Sequence, residues 1–317
     1  MLTLALTAPL SAQEIDAKQV LAKLGFPADT YGKVTGGEMV SRNVDSSTDR
    51  ELATGLVFFV KVSPESLLKD MKEGLLLHVD ENTLAHGDVG TAAAPGDFAG
   101  VKLDVSEVKA YQKAKAGEAL NLSTQEIEAF EGLAGKPAAD VEAQARKSLF
   151  ERTQAYQKSG LDGLAPYARD GKARSPAEEL RAASNASKAA KSLAPSFFET
   201  LLDYPKKPEG YSEKFTWMRY KAHDTPVFIL THAFAVQEGD AFAVCQRQFY
   251  VSASYNTEQA LALFAPAEGG TLVVYVNRTS TDAVTGFGGG AKRSIGEKVL
   301  ASQLRALFAK VSKAAEQ

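Results

Sequence analysis

The sequence predicts an α+β protein in which antiparallel strands pack on one long C-terminal helix, with a helical segment inserted ahead of the sheet. Three observations predict it. From Lys214 onward apolar residues alternate with period two through FTWMRYKA, TPVFILTHAFAV, AFAVCQRQFYVSAS, ALALFAP and TLVVYVNRT. The connectors QEGD and PAEGG are short, and short connectors make neighbours antiparallel because a parallel return needs a long crossover. After them Ile295, Val299, Leu304, Leu307, Phe308 and Val311 recur near period 3.6, one face of a closing helix. Between Val105 and Pro195 the pattern is also helical.

The elements follow in order. LTLALTAPLSAQ is a short apolar run ending in Leu10-Ser11-Ala12, which fits a signal-peptidase site. Residues 1–12 are therefore expected to be a signal-peptide remnant and the protein periplasmic or secreted; a segment packing on the core is the other reading. EIDAKQVLAKLGF has the spacing of an amphipathic helix, and GKVTGGEMVSRNV that of a strand with a glycine bulge. ELATGLVFFVKV, Glu51 to Val62, is rich in β-branched and aromatic residues and is expected as a strand. Ser63 then caps a helix, Pro64 fits its first position, and Glu65 suits its positive end. Residues 87–100 read as loop. Ser123 and Glu126 form a capping box before IEAFEGL. Val141, Ala145, Leu149 and Ala155 lie on one helical face within Ala139–Lys158. Ser175, Pro176 and Glu178 open an alanine-rich helix expected at the surface. The division is 13–104 for the first strands and helix, 105–205 for the helical insertion, and 206–317 for the sheet and last helix.

Bulk properties exclude several classes. Of 317 residues 44% are hydrophobic and 24% charged, as in a globular protein, and the net charge of −3 leaves no basic footprint for nucleic acid. No apolar run reaches the ~18 residues of a membrane span. Cys245 is the one cysteine, so neither an internal disulfide nor a multi-thiolate metal site can form. Its place in AFAVCQRQFYV predicts a buried thiol.

TGFGGGAKRSIGEKVL looks like a phosphate cradle but fails as one. A P-loop counted from Gly286 meets Ala291 where glycine belongs and Arg293 where Ser or Thr belongs. The relaxed dinucleotide pattern Gly286, Gly288, Ala291 needs a second strand downstream, and the rest of the chain reads as helix. No nucleotide and no other cofactor is expected. Two readings remain for the glycines. One is a slack connector; the other is a gate beside a ligand, with Gly288 in the gate and Lys292 and Arg293 at the helix N-terminus facing an anionic head group.

LATGLVFFVKVSPESLLKDM, a strand entering a helix through a Ser-Pro cap, resembles the opening of START-like domains of the polyketide cyclase and lipid-transfer type. The antiparallel strands and final helix resemble the rest of that helix-grip design. The resemblance implies a curved sheet wrapping the C-terminal helix, an apolar pocket between them, and binding of lipids or other hydrophobic molecules, with enzymes a minority. QRQFYVSASYN, VVYVNRTSTDAVTGFGGGAKRSIG and YQKSGLDGLAPYARDG are also similar to an uncharacterised family of exported bacterial proteins. The helical insertion is a departure from the START-like pattern.

Candidate site residues come from polar and amphipathic groups in strands. Alternation puts Phe228, Leu230, His232 and Phe234 on one face. His232 is either a hydrogen-bonded core residue or a polar anchor of the pocket. Gln246, Arg247 and Gln248 are consecutive, so each face receives a polar group, and a buried Arg247 would need partners. Trp217, Tyr220, Tyr250 and Tyr275 suit a pocket wall, with ordinary sheet packing the alternative. His78, Asp80, Glu81, His86 and Asp88 match no metal-ligand spacing, and no metal is expected. Neither G-x-S-x-G nor H-E-x-x-H occurs. Ser280 and Asp282 read as a turn. Lys292, Arg293, Lys298, Arg305, Lys310 and Lys313 form a basic face on the last helix, either solvated or a peripheral contact for anionic membranes. The expected function is non-enzymatic binding of a hydrophobic small molecule or lipid in the cell envelope, oriented by His232 and Arg247. A hydrolase or cyclase using His232 as acid or base, and an interaction protein with a filled core, are the alternatives.

Overall fold

The computed structural model describes residues 15–117, 119–222 and 224–317; the leader reading falls outside them. Its strands are β1 (Val40–Asn43), β2 (Glu51–Val60), β3 (Thr83–Val89), β4 (Tyr211–Ala222), β5 (Thr225–Glu238), β6 (Ala241–Val251), β7 (Thr257–Ala267) and β8 (Gly270–Ser280). They form one curved antiparallel sheet in the order β1-β2-β8-β7-β6-β5-β4-β3. The late strands are consecutive hairpins, as their short connectors require. Gly239 (φ 66°) and Gly269 (φ 80°) supply the left-handed backbone at two of the turns.

Before the sheet's first long strand stand α1 (Ala17–Lys23) and α2 (Thr30–Thr35). Between β2 and β3 lie α3 (Pro64–Lys72) and α4 (Leu75–Val79). Ser63 caps α3 by accepting from the Ser66 amide at 3.2 Å, with Pro64 at the first helical position. Between β3 and β4 come α5 (Val105–Gln112), α6 (Thr124–Glu131), α7 (Ala138–Ser159), α8 (Pro176–Asn185), α9 (Lys188–Leu193) and α10 (Pro195–Asp203). The expected capping box closes on α6, where Glu126 accepts from the Ser123 amide at 2.7 Å. The last helix is α11 (Gly289–Ala315).

The two sheet faces are covered differently. On one, α3, α4 and α11 bury Leu67, Leu304, Phe308 and Val311 against Leu56, Phe58, Val273 and Tyr275. The Phe308 ring lies 4.9 Å from Phe58 and 4.6 Å from Tyr275. On the other, α1, α9 and α10 pack on Val57, Leu261 and Leu263, while α7 packs on Phe215, Leu230 and Phe249. The inserted helices thus form a layer on the side of the sheet away from α11.

Several expectations are corrected. GKVTGGEMVSRNV is not one bulged strand. Its first half belongs to α2, which stops at Gly36 and Gly37 (φ 96°), and only Val40–Asn43 pairs with β2. The loop expected over 87–100 starts later, because β3 continues to Val89. Gly87 stays in the strand because the Trp217 indole lies flat on it: a Cβ there would stand 2.5 Å from Nε1. The alanine-rich segment is only partly superficial, since α8 buries Leu180, Ala183 and Ser184, while α9 has no fully buried residue and packs through half-buried Ala190 and Leu193. The expected stripe of α11 holds for its second half alone. Ile295 is 64% and Val299 46% exposed. The first half of the helix is turned so that Gly296 meets Leu52, where a Cβ would come within 2.9 Å of Leu52 Cδ2.

Candidate functional site

A polar belt crosses the sheet face away from α11. Strand register sets Phe215, His232, Arg247, Gln259 and Arg278 side by side on β4 through β8. A buried imidazole and guanidinium need partners, and both have them. His232 lies 3.1 Å from Glu213 Oε2 through Nε2 and 3.0 Å from the Tyr156 hydroxyl through Nδ1. The Arg247 Nη1 donates to that same hydroxyl at 3.2 Å. Tyr156 therefore receives from Arg247 and donates to a neutral His232, which in turn donates to Glu213. Burial pushes the imidazole down to about 4. Against its own desolvation, the bonds from His232, Lys207 and Tyr211 hold the Glu213 carboxyl down at about 2.

Arg247 is fully buried, yet among the described residues no carboxylate bonds it. Its other donors reach Gln259 Oε1 at 2.7 and 2.9 Å and the Leu201 carbonyl at 2.7 Å. That carbonyl lies in the last turn of α10, the negative end of the helix. The belt fastens the inserted layer to the sheet. Its imidazole is enclosed by protein: Phe215 stacks on His232 at 4.2 Å and Tyr204 closes at 4.5 Å. The carboxylate-bonded histidine that an acid–base enzyme would need is present, but without space beside it.

The structure separates the other sequence candidates. Trp217 and Tyr250 share the face of His232 and are core residues. The Trp217 indole donates to the Asp97 carbonyl at 2.9 Å, and Arg152 stacks 4.2 Å from the Tyr250 ring. Tyr220 and Tyr275 point to the opposite face, where Tyr220 donates to Asp80 at 3.1 Å. Gly288 caps α11 with φ 74° at the surface, and Lys292 is exposed one turn later. Arg293 donates to the Asp49 carbonyl at 2.7 Å. These eight residues do not converge on one pocket, because alternation sends them to two faces and α11 begins beyond the strand ends.

The expected cavity between the sheet and α11 is filled. Only about 40 Å³ remains there, among Phe58, Met71, Phe264, Tyr275 and Phe308. The large space is on the other face, a groove of about 650 Å³ between β2, β6, β7 and β8 below and α1, β1 and α9 at the sides. Leu261, Leu263, Val274 and Val276 form its floor, and Leu24, Phe26 and Leu193 its flanks. Gly55 keeps the floor low beneath Arg42, its partner in β1. Arg278 stands at one end, paired with Glu51 at 2.6 Å. Of the sequence candidates Tyr275 alone borders this groove, although its ring packs on Phe308 at the α11 face. The groove escaped the sequence because its walls come from segments as distant as Leu24, Arg42, Leu193 and Val274.

A second cluster was also missed. Asp282, in the expected turn, binds Arg50 at 3.2 Å, Arg169 at 3.4 Å and Arg174 at 2.8 Å. Two of these arginines come from the insertion, so Asp282 clamps it to the end of β8. Burial raises neighbouring Glu179 to about 7. Among the described residues no group of acidic, histidine or cysteine side chains is placed to hold a metal. His78 and His86 only approach edge-to-face, at 6.1 Å. No helix among the described residues is long and apolar enough to cross a membrane.

Compared with known proteins, the chain has no significant match to any family model, curated protein or solved structure.

Proposed function

We propose that this is a helix-grip, START-like binding protein of the cell envelope that holds an apolar small molecule or lipid without transforming it. The order β2-β8-β7-β6-β5-β4-β3, with two helices after β2 and a long helix after β8, supports the helix-grip reading. The binding place differs from the one such a fold implies: it is the groove on the far face, walled in part by the segments the chain adds to the core design. The observation carrying this reading is the groove itself, whose volume of about 650 Å³ lies within the range of small-molecule sites and whose floor is aliphatic. Filling by desolvation of apolar surface provides the affinity, at about 25 cal/mol per Å² buried.

Membrane contact through α11 belongs to the same proposal. Phe287 is fully exposed at the loop tip between Gly286 and Gly288, and Ile295 and Val299 continue an apolar track flanked by Lys292 and Lys298. Apolar insertion with flanking lysines suits an anionic lipid surface.

Native mass spectrometry of the purified protein tests the binding reading. The wild type should carry a lipid-sized adduct, and Ala190→Trp, which places an indole at the groove wall, should lose it. Absence of any adduct, together with a melting temperature unmoved by added lipids, would overturn the proposal.

A further inference from the structure

The groove is apolar along its floor but not at its end, and the end has unused hydrogen-bonding capacity. Arg278 is only 5% exposed. Its Nη1 donates to Glu51 Oε2 at 2.6 Å and to the Asp45 carbonyl at 3.0 Å. Among the described residues its Nε is buried without a partner, and no hydrogen bond of Arg278 uses Nη2. A buried guanidinium is normally saturated, so an unpartnered Nε–Nη2 edge is exceptional. That edge presents two parallel N–H groups, the geometry that grips a carboxylate or phosphate bidentately.

The charge around it agrees. Lys23, Arg42, Lys188 and Arg278 line the groove against one carboxylate, Asp45. Among the described residues Arg42 forms no ion pair; its guanidinium rests 5.3 Å from the Phe26 ring at the groove wall. Gly55 faces Arg42 on one side and Val276 on the other, so no side chain from β2 intervenes at that level.

We infer that the ligand is an anionic amphiphile, its single carboxylate or phosphate head held by the Nε–Nη2 edge of Arg278 and its chain lying along Leu261, Leu263 and Val274. This rests on the groove being the binding place. It differs from the arrangement read from the sequence, which put the head group at Lys292 and Arg293 and made Arg247 the anchor. Arg247 has its donors satisfied by the protein, whereas Arg278 does not.

Calorimetric titration at pH 8 with dodecanoate, dodecyl phosphate and dodecanol tests it. The wild type should bind at least one of the two anions tenfold or more tighter than the alcohol; the tighter anion identifies the head. Arg278→Lys keeps a cation beside Glu51, which preserves the fold, but lacks the two-pronged edge. It should lose most of the preference and leave dodecanol binding unchanged. Arg42→Gln should reduce the preference less. Equal affinity for anions and alcohol in the wild type would overturn the head-group assignment while leaving the groove reading intact. An undiminished preference in Arg278→Lys would overturn the role of Arg278. Failure of all three probes to bind would overturn the groove reading itself.

Discussion

Replacing Glu179 by Gln should stabilise this protein increasingly as pH rises from about 4.5 to 7, and leave it nearly unchanged at pH 4.5. Glu179 sits at the start of α8, its Oε1 accepting from Asn256 at 3.1 Å, with Arg174 only at 3.9 Å. Burial raises its carboxyl from 4.5 to about 7. The unfolded chain therefore ionises before the folded one as pH rises. Stability falls between pH 4.5 and 7 and stays reduced above that. The full shift corresponds to about 3 kcal/mol at 1.36 kcal/mol per pH unit. Glutamine keeps an acceptor for Asn256 and carries no charge to desolvate. At pH 8 the variant should gain about 2 to 3 kcal/mol, or roughly 5 °C in melting temperature for a chain of this size. At pH 4.5 the two proteins should melt within about a degree of each other. Scanning calorimetry from pH 4.5 to 8.5 reads both ends. A variant that melts lower than wild type at pH 8, or whose gain is the same at both pH values, would refute the claim that a buried carboxylate strains the Asp282 clamp.

The belt titrates in the opposite sense. His232 is held neutral down to about 4, so its contribution is present above 6.5 and lost as pH falls from 6.5 to 4, about 3 kcal/mol in all. His232→Gln should be less stable at pH 7 yet show a visibly smaller loss between pH 6.5 and 4.5 in urea melts; an unchanged loss would mean that another group titrates. Gly87→Ala should destabilise by about 1 to 3 kcal/mol, since its Cβ would meet the Trp217 indole at 2.5 Å, and Trp217 fluorescence should shift as the ring moves. Cys245, whose thiol burial pushes up to about 12, should resist a thiol reagent until the protein unfolds; rapid native labelling would contradict its place beneath α10.

Much of the fold was legible because local chemistry decides it. The Ser63-Pro64 cap, the Ser123–Glu126 box and the period-two runs from Lys214 onward all became the elements they signal. What remained hidden is which layer each strand face meets. Alternation grouped Phe228, Leu230, His232 and Phe234 correctly, but nothing local says that α7 and α10, and not α11, cover them. Arg247 read as a group needing partners. Its partners, Gln259, Tyr156 and the Leu201 carbonyl, are set by β6–β7 register and by the insertion, which single-strand periodicity does not encode. The α11 stripe misled because Gly296, which lies off the apolar track, makes the contact in its first half. The groove was least legible of all, being formed where four separate segments fail to fill the space above β7 and β8.

Crystals grown with a terminally brominated dodecanoic acid would locate the ligand by the anomalous signal of bromine. The expected result is a bromine peak in the groove, over the aliphatic floor of Leu263 and Val274. A peak beneath α11, between Phe58 and Phe308, would return the binding place to the helix side of the sheet and contradict the account.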